Sequence, residues 1–311
     1  MRVLKHTAEM ICDISEEMSQ GELIAFDCLD NRNAIFAVAK KEVDYRTFRS
    51  GASFSKIKPD TRQDYSVFIT SDEGAIHLTD IVGEEFNIHH IQPLSKNRLL
   101  LVCARSRWRS GTDFDCNGRI YGADGVFQKE ILLGDGIQDV QVTTHGKIWT
   151  SYFDEGVFGN YGWNDPVGSS GLIAWKANGE KVYEYSPMHG LDVICDCYAL
   201  NVESDNTTWC YYLDEFPLVK IKDGKEVGYW TIPIRGSDAF AIYRNFALFR
   251  GGYNDSDHLY LIQLLENNVA KVVKKISLEN VSKVDSVSAR GDSLLILSGK
   301  FVYRVSVHDF L

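Results

Sequence analysis

The chain has 311 residues, 44% hydrophobic and 24% charged, which is ample for a sizeable core. Its net charge of 33 − 43 = −10 is opposite in sign to that of a general nucleic-acid or anionic-membrane binder. The opening "MRVLKHTAEMICDIS" lacks an apolar h-region and a small-residue cleavage site, and no apolar run reaches membrane-spanning length. Seven cysteines without regular spacing argue for a reducing compartment. The expectation is a cytoplasmic protein with no nucleic-acid or membrane partner.

In chain order, almost no segment carries apolar residues at helical spacing. Short β-branched and aromatic runs recur instead, broken by Gly, Asn and Asp. One unit repeats six times: a strand, a tight turn, then a very apolar strand. The apolar strands are "NAIFAVAK" from Asn33, "RLLLVCAR" from Arg98, "KIWTSYF" from Lys147, "TTWCYYL" from Thr207, "NFALFRG" from Asn245 and "SLLILSG" from Ser293. A third and fourth strand follow, joined by turns such as "ADGV" at Ala123, "ANGE" at Ala177 and "KDGK" at Lys222. Asn-Gly and Asp-Gly suit two-residue hairpins because both tolerate positive φ. With the strands lettered A to D, the third unit reads 137–143, 147–153, 171–176 and 181–185. The fourth reads 193–202, 207–213, 218–222 and 227–232; the fifth 239–243, 246–250, 258–264 and 271–277. Such units predict an all-β, six-bladed β-propeller of four-stranded antiparallel blades, one domain over 1–311. A sandwich of irregular strands is the alternative.

The last unit stops one strand short, whereas "RVLKHTAEMICDIS" precedes the first complete one. The N-terminal segment is therefore expected to supply the outer strand of blade 6, closing the ring and removing two free edges.

Because strands alternate direction, B–C loops and D–A connections share one end of the ring. The A–B and C–D turns are short, whereas B–C loops 40–64, 106–118, 154–170 and 251–257 are mostly long. Long loops in a compact domain tend to be functional, so the ligand end is assigned there. "DEGVFGNYGW" from Asp154 and "GDG" at Gly134–Gly136 both fall at that end of blade 3. Asp135, Asp154, Glu155, Tyr161 and Trp163 can converge there. Acids with aromatics suit a cation, a sugar or a basic peptide; they could equally cap backbone amides and plug the channel. "RSRWR" offers Arg105, Arg107 and Arg109 to a phosphate or carboxylate, or to Asp113, Asp115 and the blade 3 acids. His89, His90 and His189 lie in D–A connections and are general-base candidates. Cys195 and Cys197 would alternate on one strand, with Cys210 on the next. They suit a thiolate site or, as we favour, buried packing. "RGD" at Arg290–Asp292 falls in an A–B turn at the other end. GxSxG, HExxH and paired CxxC motifs are absent from the sequence.

The stretch "GDGIQDVQVTTHGKIWTSYFDEGVFGNYGW", followed by "GSSGLIAWKANGE", resembles a signature of uncharacterised bacterial β-propeller-like proteins. The upstream "NGRIYGADG" fits it more loosely. The resemblance implies the propeller fold and the importance of the blade 3 loop, and it implies no reaction. Six-bladed lactonases and streptogramin-lyase-type propellers are more distant analogies whose metal and His/Glu motifs cannot be placed here. The expected function is a monomeric binding module. Its small polar ligand or protein loop would be held by Asp135, Asp154, Glu155, Tyr161 and Trp163 with Arg105 and Arg107. The alternative is a lyase or hydrolase using Asp154 or Glu155. No cofactor is expected, a divalent cation being the one candidate.

Overall fold

The computed structural model describes residues 2–49 and 52–311. Six four-stranded antiparallel sheets follow one another along the chain, each with strand A innermost. Blade 1 is formed by Glu22–Cys28, Ala34–Ala39, Gln63–Ser71 and Gly74–Glu84. Blade 3 is Ile137–Val142, Ile148–Tyr152, Leu172–Trp175 and Lys181–Glu184, within two residues of expectation at every end. The A and B strands supply most of the core because they are covered on both faces. Ala34–Ala39 and Ser293–Ser298 are buried throughout, which explains their lack of alternation. Outer strands are more exposed, as at Lys181–Glu184, where Tyr183 alone is half-buried. The "KDGK" turn has φ of +51° at Asp223 and +71° at Gly224, the double positive φ of a type I′ hairpin.

The ring closes as the sequence predicts. Glu9–Asp13 pairs antiparallel with Phe301–Ser306 as strand D of blade 6. An unpredicted strand, Val3–His6, runs parallel to Lys275–Leu278 and gives blade 5 a fifth strand. The N-terminal segment thus fastens two blades.

Two long loops contain their own hairpins. Arg46–Arg49 pairs with Ala52–Ser55, Ser50 and Gly51 lying outside the described residues. Trp108–Ser110 pairs with Asp113–Phe114. Asp154–Phe158 forms a short helix.

One expected strand begins late. Strand A of blade 4 is Cys197–Ser204, so Cys195 lies in the preceding connection and does not alternate with Cys197. Ile194 packs over Gly171, where a Cβ would lie 2.3 Å from its side chain. All seven cysteines are free. No described helix is long and apolar enough to cross a membrane.

The end of the axial channel nearest the A–B turns is closed by side chains bonded to backbone. Gln141 donates to Leu200 O and Ala289 O (3.0 and 3.1 Å) and accepts from Val202 N. Asn201 donates to Phe240 O and Gly291 O and accepts from Gly291 N. Arg290 donates to Val142 O, so the "RGD" turn is part of this floor. Asn201 is wholly buried, and Asn201→Leu would strand the Gly291 N–H. We expect a loss of roughly 1–3 kcal/mol, read as a lower urea midpoint. An unchanged midpoint would mean the floor bonds are dispensable.

Candidate functional site

The long loops of blades 1 to 3 meet, and Arg105 is their hub. It is 6% exposed. One Nη donates to Asp135 Oδ2 at 2.9 Å, the other to Glu155 Oε2 at 2.5 Å. The other oxygen of Asp135 accepts from Ser106 N at 2.8 Å. The guanidinium lies 4.4 Å from the centre of the Tyr161 ring, a cation–π distance. Tyr161 donates to Ser55 O of the blade 1 loop, and Trp163 Nε1 donates to Ser106 O. Arg109 pairs with Asp113 and Asp115. The structure thus brings Arg105, Asp135, Glu155, Tyr161 and Trp163 together, bonded to one another and to neighbouring loops, with Arg105 Nε left buried without a partner. Burial pushes the Asp135 carboxyl up to about 6, against Arg105. Burial raises the Glu155 carboxyl, but its hydrogen bonds to Arg105 and Asn160 together with the Arg105 charge outweigh it and hold it below the usual range.

Arg107 and Asp154 are exposed. Arg107 lies over the Tyr161 ring at 5.4 Å. Asp154 accepts from Glu155 N. Burial, with the Asp154 charge added to it, pushes the Asp196 carboxyl up to about 6. Beside Asp196, the hydroxyls of Tyr198 and Tyr253 share a hydrogen bond. His89 accepts from Ala104 N, and burial lowers its pKa to about 4, which suits a structural acceptor. His189 is exposed.

Along the axis lies a funnel of about 930 Å³ lined by inner-strand residues of five blades and by Asp238 and Ala239, which lead into strand A of blade 5. It opens at the B–C/D–A end and stops at the Gln141–Asn201 floor. Strands A of blades 1, 3 and 4 each carry a register shift near their start, at Ile24, Gln138 and Tyr198. All three residues line the funnel, and such bulges re-aim side chains. The lining is acidic: Glu22, Asp27, Asp139, Asp238 and Asp285 are set against Arg250 and His90. Arg250 is paired with Asp238, and Asp285 with Lys283.

Just above the floor, Asp27, His90 and Asp139 come from strand A of blades 1, 2 and 3. One ligating atom from each lies within 4.8 Å of the others. His90 is the first residue of its strand, His90–Leu94, rather than part of the connection before it. Asp27 Oδ2 accepts from Ile91 N at 2.8 Å. Asp139 accepts from Val140 N and from Gln141 Nε2. Burial pushes the Asp139 carboxyl up to about 6. Burial favours a neutral His90, but Asp27 and Asp139 outweigh it and raise its pKa. Sequence reasoning missed Asp27 and Asp139. The available signal was a carboxylate inside an inner-strand run, in "LIAFDC" and "IQDVQV".

The fold is similar to those of solved structures. A chain of the mitotic checkpoint complex crystal structure aligns over 98% of this chain and 94% of its own, at 9% identity and a TM-score of 0.53. The WD40 β-propeller domain of Doa1 aligns over 92% and 93%, at 10% identity and a TM-score of 0.46. Only the first of these likenesses supports the fold, and neither extends to function. A family model described as the YxzG family matches residues 171–305, from strand C of blade 3 to strand C of blade 6. No curated protein matches the sequence.

Proposed function

We propose that the protein is a binding module that takes a small polar ligand into the axial funnel. The observation that carries this reading is the funnel: open at one end, sealed at the other, and lined by acids from several blades. A ligand rich in hydrogen-bond donors or carrying positive charge fits that lining. Tyr198 lines the funnel with Asp154, Asp196 and Tyr253 beside it, and Arg107 stands at the blade 2 loop. Arg105, Asp135, Glu155, Tyr161 and Trp163 hold the rim loops in place beside it. A monomer working in the cytoplasm would meet the requirement.

The test is thermal melting against a panel of amines, polyols and sugars, for wild type and Tyr198→Ala/Asp154→Ala. At a hundred times its dissociation constant a ligand adds about 2.7 kcal/mol, which for a chain of this size raises the melting temperature by several degrees at most. The expected result is a shift in wild type that the double variant loses. Failure of every compound to shift wild type would overturn the small-ligand reading and leave a protein loop as the occupant.

A further inference from the structure

We infer that Asp27, His90 and Asp139 form a binding site for a divalent transition-metal ion at the base of the funnel. Three blades each contribute one donor from strand A, and the donors lie within 4.8 Å of one another. Asp27 and His90 are not joined by a hydrogen bond. Asp27 Oδ1 and His90 Nδ1 are 3.9 Å apart, beyond the range of an N–H···O bond. Metal–ligand bonds of about 2.1 Å would set neighbouring donors roughly 3.4 Å apart in a tetrahedral site. Small side-chain torsions close that difference.

Both carboxylates are already oriented. Asp27 is held through its second oxygen by Ile91 N, and Asp139 by Val140 N and the Gln141 amide. Fixed outer contacts of this kind are what orient metal ligands. Gln141 is also a floor residue, so the ring's architecture and the donor geometry are set by one side chain.

The donor set selects the class of ion. One imidazole nitrogen with two carboxylates suits Mn²⁺, Fe²⁺, Co²⁺ or Zn²⁺, whereas Ca²⁺ and Mg²⁺ favour all-oxygen shells. Three protein ligands leave the remaining positions directed into the funnel, as in sites where a metal engages a bound molecule. That last role rests on the ligand reading above; the metal site itself rests on the three side chains alone.

The test is calorimetric titration of chelator-treated protein with Mn²⁺, Co²⁺ and Zn²⁺ separately, with the visible absorption of bound Co²⁺ as a second readout. We expect one equivalent per chain. His90→Ala and Asp139→Asn should each weaken binding by more than about 100-fold, beyond the 10–100-fold typical of outer-contact losses. Glu180→Gln, in the exposed outer turn of blade 3 where Glu180 pairs with Lys176, should bind as wild type does. Circular dichroism and melting identify any variant that fails to fold; Asp27→Asn provides a third independent probe. Stoichiometric binding by none of the three ions, or binding unchanged in the folded variants, would overturn the site. Metal binding without any small-molecule shift would leave the site standing and remove the ligand reading. Small-molecule shifts without metal binding would do the reverse.

Discussion

A chain lacking residues 2–14 is expected not to fold. Two ladders disappear at once, Val3–His6 along Lys275–Leu278 and Glu9–Asp13 along Phe301–Arg304. The bond from Ile14 N to Lys300 O goes with them. Asn280, which accepts from Ala8 N and donates to Ala8 O, loses both partners. Ile14 is wholly buried, and Ala8 and Cys12 nearly so. They pack in two different clusters, Ala8 with blades 5 and 6 and the other two with blades 6 and 1. Burying one large aliphatic side chain stabilises by about 1.5–3 kcal/mol, and the newly bared faces of Leu297 and Val302 add to the loss. The sum approaches the whole stability of a typical domain, about 5–15 kcal/mol. Blade 6 would also present an unpaired edge, a template for aggregation. The measurement is soluble yield and near-ultraviolet circular dichroism. A soluble truncated protein that melts cooperatively near the wild-type temperature would show that three strands suffice to close the ring.

The second large effect is expected at Asp135. Asp135→Ala leaves Arg105 buried with Glu155 as its one remaining carboxylate, and it strands the Ser106 N–H that Asp135 accepts. Removing one partner of a buried ion pair costs about 3–5 kcal/mol. We expect a loss in that range by chemical denaturation. A double-mutant cycle with Arg105→Met should recover much of it, since the stranded charge would be gone. A cost below about 1 kcal/mol would mean Glu155 and the Tyr161 ring suffice to hold the guanidinium. Because this cluster joins the loops of blades 1, 2 and 3, funnel binding should weaken along with stability.

The blades were legible because local rules decide them. Apolar B strands mark each unit, Asn-Gly or Asp-Gly turns join strands C and D in blades 2 to 4, and Phe246–Arg250 and His258–Leu264 match their expected bounds residue for residue. The role of the N-terminal segment followed from counting strands. The parallel strand Val3–His6 did not, because its pairing with blade 5 is a contact between distant segments that leaves no periodic trace. The blade 3 loop was correctly placed at the B–C/D–A end. The pairing of Arg105 with the blade 3 acids was among the readings the sequence offered, and the structure selects it. Asp27 and Asp139 were illegible for a different reason. Each sits in an ordinary strand, and only the angular order of blades 1 to 3 around the axis brings them to His90. In a repeat fold the axis collects one residue per blade, so a site there has no local motif.

The seam of the ring also sets a timetable. Glu9 and Arg304, which pair across it, are 295 positions apart in sequence. During synthesis at about 5–20 residues per second, the N-terminal strands wait roughly 15–60 s for their partners to emerge. Blades 1 to 5 can assemble in order over that interval, while Met10 and Cys12 remain unpaired in the growing chain. The return of residues 9–13 to residues 301–304 is then a late step, and a helper that shields residues 3–14 during synthesis would raise the yield of closed rings.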